Sequence, residues 1–340
     1  MKSVRLHGPG DLRLHDEPVP TPGPGQSLVR VTATGVCGSD LHWFVEGRIG
    51  DTPVTQPLVL GHESAGVIES GPQRGQRVAI DPAIPCGQCE FCQEGNPNLC
   101  TSLTFAGSAP DDGLLREVVA WPTRCLYPLP DTLTDEDGAM LEPLGIAIHA
   151  VDLGHVKPGM TVGVFGCGPI GWLVLQMARA AGATRLIATD LPGVPHRLEA
   201  ARSLGATVFA AQPLHQEAAE ILAATNGRGV DVAFEAAGED EAVAAAIAAV
   251  RRGGRVVLAG IPANDRTTFS ASAARHKGLT LKLVRRMKLT YPRAIRLVES
   301  GRVDVRALVT HRYPFEASTE AYSAANRREG LKIIIEGPKQ

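Results

Sequence analysis

The sequence predicts an α/β fold that combines an irregular, mostly β domain with a doubly wound parallel sheet. Residues 1 to about 150 are rich in proline and glycine, and short β-like runs such as 27–32 and 66–68 are separated by turn signals. From about residue 151, apolar strands alternate with alanine-rich helices, which is typical of a parallel sheet with helices on both faces. A length of 340 residues suffices for about two such domains.

The elements of the parallel domain follow from the apolar pattern. Strands are predicted at 161–165, 186–189, 230–234, 255–259 and 279–283. Helices are predicted at 172–179, 196–204, 216–225 and 241–252. A helix at 291–300 and β-like runs at 308–313 and 331–336 come later, and we expect them to return to the first domain. The predicted domains are therefore 1–150 with 286–340, and 151–285.

A glycine-rich turn joins the first strand of the parallel domain to its first helix. It reads Gly166-Cys167-Gly168-Pro169-Ile170-Gly171. Such glycines permit a tight turn and a close backbone approach to a pyrophosphate, which the positive N-terminus of the helix attracts. Asp190 ends the next strand and would accept hydrogen bonds from the adenosine ribose, so the motif predicts NAD rather than NADP. Arg197, close in sequence, would weaken that preference.

The nicotinamide half of the cofactor is expected elsewhere on the same sheet. Ligands of an open α/β sheet bind beyond the carboxyl ends of its strands. Gly260 follows the predicted strand 255–259, and its backbone is therefore predicted to contact the nicotinamide. For the motif at 166–171, the alternative is a glycine turn that binds no ligand.

Charge and composition exclude several classes of protein. The formal net charge is −2, and the lysines and arginines are dispersed, so the chain lacks the basic stripe of a nucleic-acid binder. The N-terminal segment has no apolar core of a signal peptide, and no apolar stretch reaches the roughly 18 residues of a membrane span. We expect a cytoplasmic protein with no nucleic-acid partner and no membrane partner.

Four of the seven cysteines lie in one short segment, at Cys86, Cys89, Cys92 and Cys100. In an intracellular chain this clustering indicates a metal rather than disulfides. Four thiolates can close a tetrahedral shell, which zinc usually occupies, and a closed shell predicts a structural role. An iron–sulfur cluster and a set of free core cysteines are the alternatives.

A second candidate metal site is more dispersed in sequence. Cys37, His62 and Glu63 supply the mixed cysteine, histidine and carboxylate ligands of a catalytic zinc, which keeps one position open for water or substrate. Spacing alone leaves an alternative, because a single cysteine or a histidine near a glycine turn is often an ordinary core or surface residue.

The candidate catalytic zinc ligands, the four-cysteine segment and the glycine turn follow one another along the same chain. They occur together with the segments Gly35-Val36-Cys37-Gly38-Ser39-Asp40-Leu41-His42-Trp43 and Gly47-Arg48-Ile49-Gly50. From about residue 25 onward, the chain resembles the zinc-containing medium-chain dehydrogenase/reductase family, in its sorbitol, xylitol and L-idonate (polyol) dehydrogenase branch. The resemblance implies a GroES-like catalytic domain interrupted by a Rossmann domain. It also implies two zinc ions per subunit, one catalytic and one structural, and a homo-oligomer, either a dimer or a tetramer.

The resemblance also implies roles for individual residues. Cys37, His62 and Glu63 would hold the catalytic zinc, and Glu142 would complete the shell or hold a zinc-bound water close to the substrate. Ser39 would take the alcohol proton and His42 would pass it toward solvent, while hydride goes from the alcohol carbon to NAD. The ordinary alternatives are a turn hydroxyl for Ser39 and a surface position for His42.

The substrate implied by the resemblance is a polyol or another secondary alcohol. Arg286 would bind polyol hydroxyls, with a solvated or phosphate-facing arginine as the alternative, and Phe105 and Trp43 would form aromatic walls of the pocket. Met287 and Trp43 stand where animal sorbitol dehydrogenases have tyrosines, so sorbitol itself is not singled out. Two other functions stay open: an L-threonine 3-dehydrogenase, and a non-catalytic NAD-binding protein of the same fold.

Overall fold

The computed structural model describes residues 1–71 and 73–338. The chain forms two units: Met1–Glu142 together with the residues from Lys288 onward, and Pro143–Met287. The first boundary lies within the helix Leu141–Gly154, eight residues before the predicted position of 150/151, because that helix continues from one unit into the other. In the part of the chain that is described, no helix is long and apolar enough to cross a membrane.

Short strands dominate the first unit. Its strands are Lys2–Gly8, Asp11–Asp16, Gln26–Gly35, Arg48–Ile49, Thr52–Pro53, Leu58–Val59, Glu63–Ser70, Arg77–Ile80, Ala83–Ile84, Thr104–Phe105, Val118–Pro122, Leu126–Pro128, Val309–Tyr313 and Lys332–Glu336. Its helices are Gly38–Glu46, Glu90–Gln93, Asp135–Ala139, Tyr291–Glu299 and Ser318–Asn326, with the start of Leu141–Gly154.

The main sheet of this unit is organised around Gln26–Gly35. That strand pairs antiparallel with Glu63–Ser70, Val118–Pro122 and Lys332–Glu336. Alternate residues of such strands face the core, and Leu6, Leu60 and Ile335 belong to one apolar cluster of the unit. The pairing places Glu63 opposite Gly35, two residues before Cys37. It therefore assembles the second candidate metal site from distant parts of the sequence.

The second unit is a parallel sheet of six strands, all within the described part of the chain. In spatial order they are Thr207–Ala210, Arg185–Asp190, Thr161–Phe165, Val230–Glu235, Val250–Leu258 and Thr280–Leu283. The helices are Pro169–Ala180, Pro195–Ser203, Gln216–Ala224, Asp240–Ala249 and Ala271–Lys277. This 3-2-1-4-5-6 order is that of a dinucleotide-binding sheet, in which ligands bind where the order reverses, between Thr161–Phe165 and Val230–Glu235.

The predicted α/β class is confirmed, and three elements of the second unit differ from the prediction. The strand Thr207–Ala210 and the helix Ala271–Lys277 were not predicted, because both are short, the strand is mostly half-buried and the helix largely exposed, and so they have little apolar pattern. The helix predicted at 241–252 ends at Ala249, and the next residues already belong to the strand Val250–Leu258. The strand Val250–Leu258 begins this early because Val250 pairs with Val230, and a register shift separates this pair from the rest of the pairing.

Candidate functional site

The four-cysteine lobe gathers its sulfur atoms around one point. One Sγ from each of Cys86, Cys89, Cys92 and Cys100 lies within 4.8 Å of the others. The Sγ atoms of Cys89 and Cys92 are 3.5 Å apart, and those of Cys86 and Cys92 are 4.0 Å apart. A tetrahedral zinc with bonds of about 2.3 Å needs sulfurs roughly 3.8 Å apart, so the four thiols fit one zinc ion.

Backbone N–H groups in this four-cysteine segment donate hydrogen bonds to the cysteine sulfur atoms. The Cys89 N–H donates to Cys86 Sγ and the Cys86 N–H donates to Cys100 Sγ, each over 3.3 Å. Backbone donors from Gln88 and Cys89 lower the pKa of the Cys86 thiol to about 6. Zinc binds thiolates, and these donors therefore favour the form that binds the metal.

The second group comprises Cys37, His62 and Glu63, whose ligand atoms also lie within 4.8 Å of one another. Cys37 is the N-cap of the helix Gly38–Glu46, and His62 directly precedes the strand that begins at Glu63. His62 and Glu63 are buried, with 5% and 0% of their surface exposed. A thiol, an imidazole and a carboxylate that converge in a buried place fit a catalytic zinc, which takes three protein ligands.

Two further residues fix the orientation of these side chains. Asp40 is fully buried, and its Oδ1 lies 3.2 Å from Nδ1 of His62, at ion-pair distance although without hydrogen-bond geometry. Lys332 donates from Nζ to both carboxylate oxygens of Glu63, over 2.8 and 2.7 Å, and to the Val36 carbonyl over 3.0 Å. Neighbours of this kind hold metal ligands in place and set the ring nitrogen that faces the metal.

The ionisable side chains of this group shift one another's pKa values. Burial by itself lowers the pKa of His62, but the neighbouring Asp40 and Cys37 outweigh it and raise that pKa well above its usual range. Burial raises the pKa of Glu142 to about 7, with His62 lowering it and Glu63 raising it. Glu142 is buried beside the group without belonging to the converging set. Ionisable groups that perturb one another in a buried place are typical of a functional site.

Ser39 and His42 lie on the helix that Cys37 caps. Ser39 Oγ donates to Cys37 Sγ over 3.3 Å. One turn on, His42 Nδ1 lies 3.0 Å from Glu46 Oε1 and its side chain is 21% exposed. The structure therefore places a serine next to the Cys37 sulfur and a partly exposed histidine on the same helix.

The predicted substrate-binding residues have different environments. The ring of Phe105 packs against His62, with centroids 5.3 Å apart. Trp43 is 2% exposed and belongs to an apolar core cluster, so packing alone accounts for it. Arg286, in the second unit, is half-buried and has a φ of 52°, in the left-handed region that a non-glycine residue rarely adopts. Met287 beside it is buried.

The glycine turn of the second unit has the form of a phosphate-binding loop. Gly166 has a φ of +99°, and a Cβ on Gly171 would lie 1.8 Å from the Gly166 carbonyl oxygen, so both positions require glycine. Gly168 is the N-cap of the helix Pro169–Ala180, with Pro169 in its first turn and Ile170 directly after it. These features leave backbone and a helix N-terminus free to meet a pyrophosphate, and the turn fits a dinucleotide.

Asp190 and Arg197 flank this turn. Asp190 ends its strand and is 8% exposed, and its carboxylate accepts from the N–H groups of Cys167 and Leu191 over 2.8 and 2.7 Å. A Cβ on Gly168 would lie 3.6 Å from Arg197 Nη1, which puts a positive charge beside the loop. Gly260 follows the strand Val250–Leu258 and donates to the Glu235 carbonyl oxygen over 3.2 Å.

Sequence reasoning missed the roles of Asp40 and Lys332. Asp40 lies inside the motif around Cys37, and its distance of three residues from the cysteine was a usable signal. Lys332 is a lysine directly before three isoleucines in a buried strand, and a charge in such a strand needs a partner. That the partner is Glu63, 269 residues away in sequence, requires the fold.

Comparisons with known protein families match both parts of the chain. Residues 23–131 match the alcohol dehydrogenase GroES-like domain. Residues 169–300 match the zinc-binding dehydrogenase domain.

Similar proteins cover nearly the whole chain. The sorbitol dehydrogenase of Bacillus subtilis is 36% identical over 343 residues, covering 98% of this chain and 97% of the relative. That of Homo sapiens is 39% identical over 341 residues, covering 98% and 95%. Among solved structures, L-idonate 5-dehydrogenase from Escherichia coli has a TM-score of 0.89 at 29% identity and covers 98% of this chain and 97% of its own.

Proposed function

The chain belongs to the zinc-containing medium-chain dehydrogenase/reductase family, and from this membership we propose that it oxidises a polyol or another secondary alcohol to the ketone, with NAD as hydride acceptor. The observation that carries the proposal is the convergence of Cys37, His62 and Glu63, in a chain similar to sorbitol dehydrogenases along its length. A non-catalytic protein of this fold would have no need to keep a complete set of ligands.

The proposed catalytic centre uses residues of the first unit. Cys37, His62 and Glu63 hold zinc, and Glu142, which interacts electrostatically with His62 and Glu63, acts on the metal directly or through water. Zinc, when bound, supplies a positive charge that makes the hydroxyl of the alcohol more acidic. Ser39 accepts the proton of that hydroxyl, and His42, which is partly exposed, transfers it toward solvent.

The proposed cofactor site is on the second unit. Gly166, Gly168 and Gly171 leave backbone open to the pyrophosphate, and the N-terminus of the helix that starts at Pro169 complements its charge. Asp190 accepts from the ribose hydroxyls, which favours NAD. NAD, when bound, accepts the hydride of the alcohol carbon. The nearby Arg197 guanidinium supports the phosphates and reduces the discrimination against NADP.

Substrate recognition is proposed to combine one charged and one aromatic group. Arg286 donates to hydroxyls of the substrate, and Phe105, which packs against His62, forms a wall near the metal. Trp43 lies in an apolar core cluster, and its place in the aromatic wall stays a prediction. The thioether of Met287 is only a weak hydrogen-bond acceptor, and we therefore propose a secondary alcohol that is less hydroxylated than sorbitol.

We also propose that the protein works in the cytoplasm as a homo-oligomer, a dimer or a tetramer. All seven cysteines are free thiols, which suits a reducing compartment. The outer strand Thr280–Leu283 of the parallel sheet carries Leu283 at 76% exposure, and an unpaired sheet edge with an exposed leucine can pair with a second copy. Light scattering of the purified protein gives the mass; a monomer at micromolar concentration would contradict the proposal.

The function is tested with a panel of polyols, aldonates, simple secondary alcohols and threonine, following reduction of NAD and separately of NADP. We expect turnover with NAD on a polyol or secondary alcohol, loss of turnover after chelation of zinc, and its return when zinc is added back. Cys37→Ser should be inactive. Cys125→Ser is the matched control, because Cys125 is another free thiol of the first unit but lies in an apolar cluster. Turnover that survives chelation, or oxidation of threonine alone, would contradict the proposal.

A further inference from the structure

Glu235 is a buried carboxylate at the reversal point of the parallel sheet. It ends the strand Val230–Glu235 and is 1% exposed. In the sheet register it lies opposite Phe165 on one side and Leu258 on the other. These two neighbours lead directly into the glycine turn and into the loop that contains Gly260. Glu235 therefore sits where ligands of this fold bind.

The side chain and backbone of Glu235 tie two loops together. Its Oε1 accepts from the N–H groups of Ala237 and Gly238, each over 2.6 Å. Its carbonyl oxygen accepts from the N–H groups of Ala259 and Gly260, over 2.8 and 3.2 Å. A Cβ on Gly260 would lie 2.7 Å from Glu235 Oε2 and 2.1 Å from the Gly238 nitrogen, so the two loops touch at this carboxylate.

Burial of an ionised carboxylate costs free energy, and backbone N–H groups donate the hydrogen bonds that offset this cost at Glu235. Burial raises the pKa of Glu235, while the N–H groups of Gly238 and Ala237 act to lower it. In the described residues no lysine, arginine or histidine side chain pairs with it. A buried charge held by backbone N–H groups alone fixes those groups strongly, because each hydrogen bond to a charged acceptor is worth more than one to a neutral acceptor.

The position on the sheet distinguishes the two halves of the cofactor. A dinucleotide lies across the reversal point, with one mononucleotide on each side of it. Asp190, assigned to the adenosine ribose, ends a strand on one side of Thr161–Phe165. Glu235 ends the strand on the other side. The loops that Glu235 ties therefore belong to the nicotinamide half.

We propose that Glu235 is a positioning residue for the nicotinamide half of the cofactor, acting through the backbone at Ala237, Gly238 and Gly260. This inference rests on the proposed NAD-dependent function. The inference predicts different effects on the two halves of the cofactor site. Loss of the Glu235 carboxylate should weaken binding of the nicotinamide nucleotide and leave the adenosine, ribose and pyrophosphate contacts intact.

The test compares NADH with ADP-ribose, which has the same adenosine and pyrophosphate but lacks nicotinamide. Both are titrated calorimetrically into the zinc-loaded parent, Glu235→Ala and Glu235→Gln. The expected loss for Glu235→Ala is about tenfold or more in NADH affinity, from two missing charged hydrogen bonds, with ADP-ribose affinity within about twofold of the parent. Glu235→Gln keeps an oxygen that can accept both N–H groups, and its NADH affinity should lie nearer the parent.

Asp231→Asn is the matched control, because Asp231 is a buried acid at the opposite end of the same strand and should leave both affinities unchanged. Equal losses of NADH and ADP-ribose in the Glu235 variants would overturn the inference, since general damage to the unit produces that result. Unchanged NADH affinity in Glu235→Ala would also overturn it. If the parent itself binds neither ligand, the proposed function fails first and the inference fails with it.

Discussion

The buried pair between Lys332 and Glu63 provides a quantitative test of how the first unit holds its metal ligands. The two side chains are 2% and 1% exposed, and Nζ contacts both carboxylate oxygens over 2.7 to 2.8 Å. Lys332→Met keeps the length of the side chain and removes the charge. It leaves the Glu63 carboxylate buried without its cation and the Val36 carbonyl without its donor, which should destabilise the unit by about 3–5 kcal/mol.

The assay is thermal unfolding in chelator and again in excess zinc. For a domain of roughly 200 residues, about 1 kcal/mol corresponds to about 2–4 °C, so the melting temperature in chelator should fall by roughly 6–20 °C. The loss should be smaller in zinc, because a bound cation neutralises Glu63 in place of the ammonium. A double variant, Glu63→Gln with Lys332→Met, should recover part of the loss in chelator, since no buried charge is left unpaired.

Lys2→Met is the control for this experiment. Lys2 pairs with Asp16 at the surface, where the side chains are 43% and 79% exposed, and removal of that pair should change stability little because solvent screens it. A melting temperature of Lys332→Met in chelator as close to the parent as that of Lys2→Met would refute the reasoning, because the buried pair would then contribute no more than an exposed one.

Three further outcomes are expected. Cys92→Ser should lower the zinc content from two ions to one per chain and lower the melting temperature; two retained zinc ions by elemental analysis would contradict a four-cysteine site. Gly171→Ala places a Cβ 1.8 Å from the Gly166 carbonyl oxygen, so the helix must shift. The free energy of unfolding should fall by about 1–3 kcal/mol, which lowers the melting temperature, and the NADH affinity should fall as well. A variant with the melting temperature and NADH affinity of the parent would contradict the close packing. Burial acts to raise the pKa of Asp231, but hydrogen bonds from Arg228, the Thr161 N–H and Arg251 outweigh it and lower it to about 2. Since the folded pKa lies below the ordinary 3.8, this stabilisation is present above about pH 4 and disappears as the pH falls toward 2. The arginine partners are partly exposed, so we expect the parent to be more stable than Asp231→Asn by only about 1–2 kcal/mol at pH 6 in urea titrations, and by nearly zero near pH 2. A difference that does not change with pH would refute this prediction.

Residues with a local signal could be interpreted from sequence. The strand Thr161–Phe165 and its glycine turn combine an apolar run, a glycine spacing and a following helix, and all three lie within about twenty residues. The four cysteines were equally local. The structure places these features as the patterns predict, because short-range physics decides them.

Features that depend on distant pairing could not be found in this way. Glu63 and Lys332 meet only because the strands that carry them both pair with Gln26–Gly35. The roles of Glu235 and Gly260 depend on the register of parallel neighbours. The resemblance implies a pocket wall for Trp43, which lies in an apolar core cluster, and its role in substrate binding stays a prediction. Sequence patterns identify ligands more readily than the residues that hold those ligands in place.

The most direct test of the central claim follows the hydride itself. The best substrate of the alcohol panel is deuterated at the carbon that is oxidised and incubated with NAD and the zinc-loaded protein, and the nicotinamide product is examined by mass spectrometry. The expected result is one deuterium in the reduced nicotinamide together with the ketone, and neither product from the zinc-free protein or from Cys37→Ser. Reduced nicotinamide that carries only solvent hydrogen, or equal turnover without zinc, would contradict a zinc-dependent hydride transfer from the alcohol.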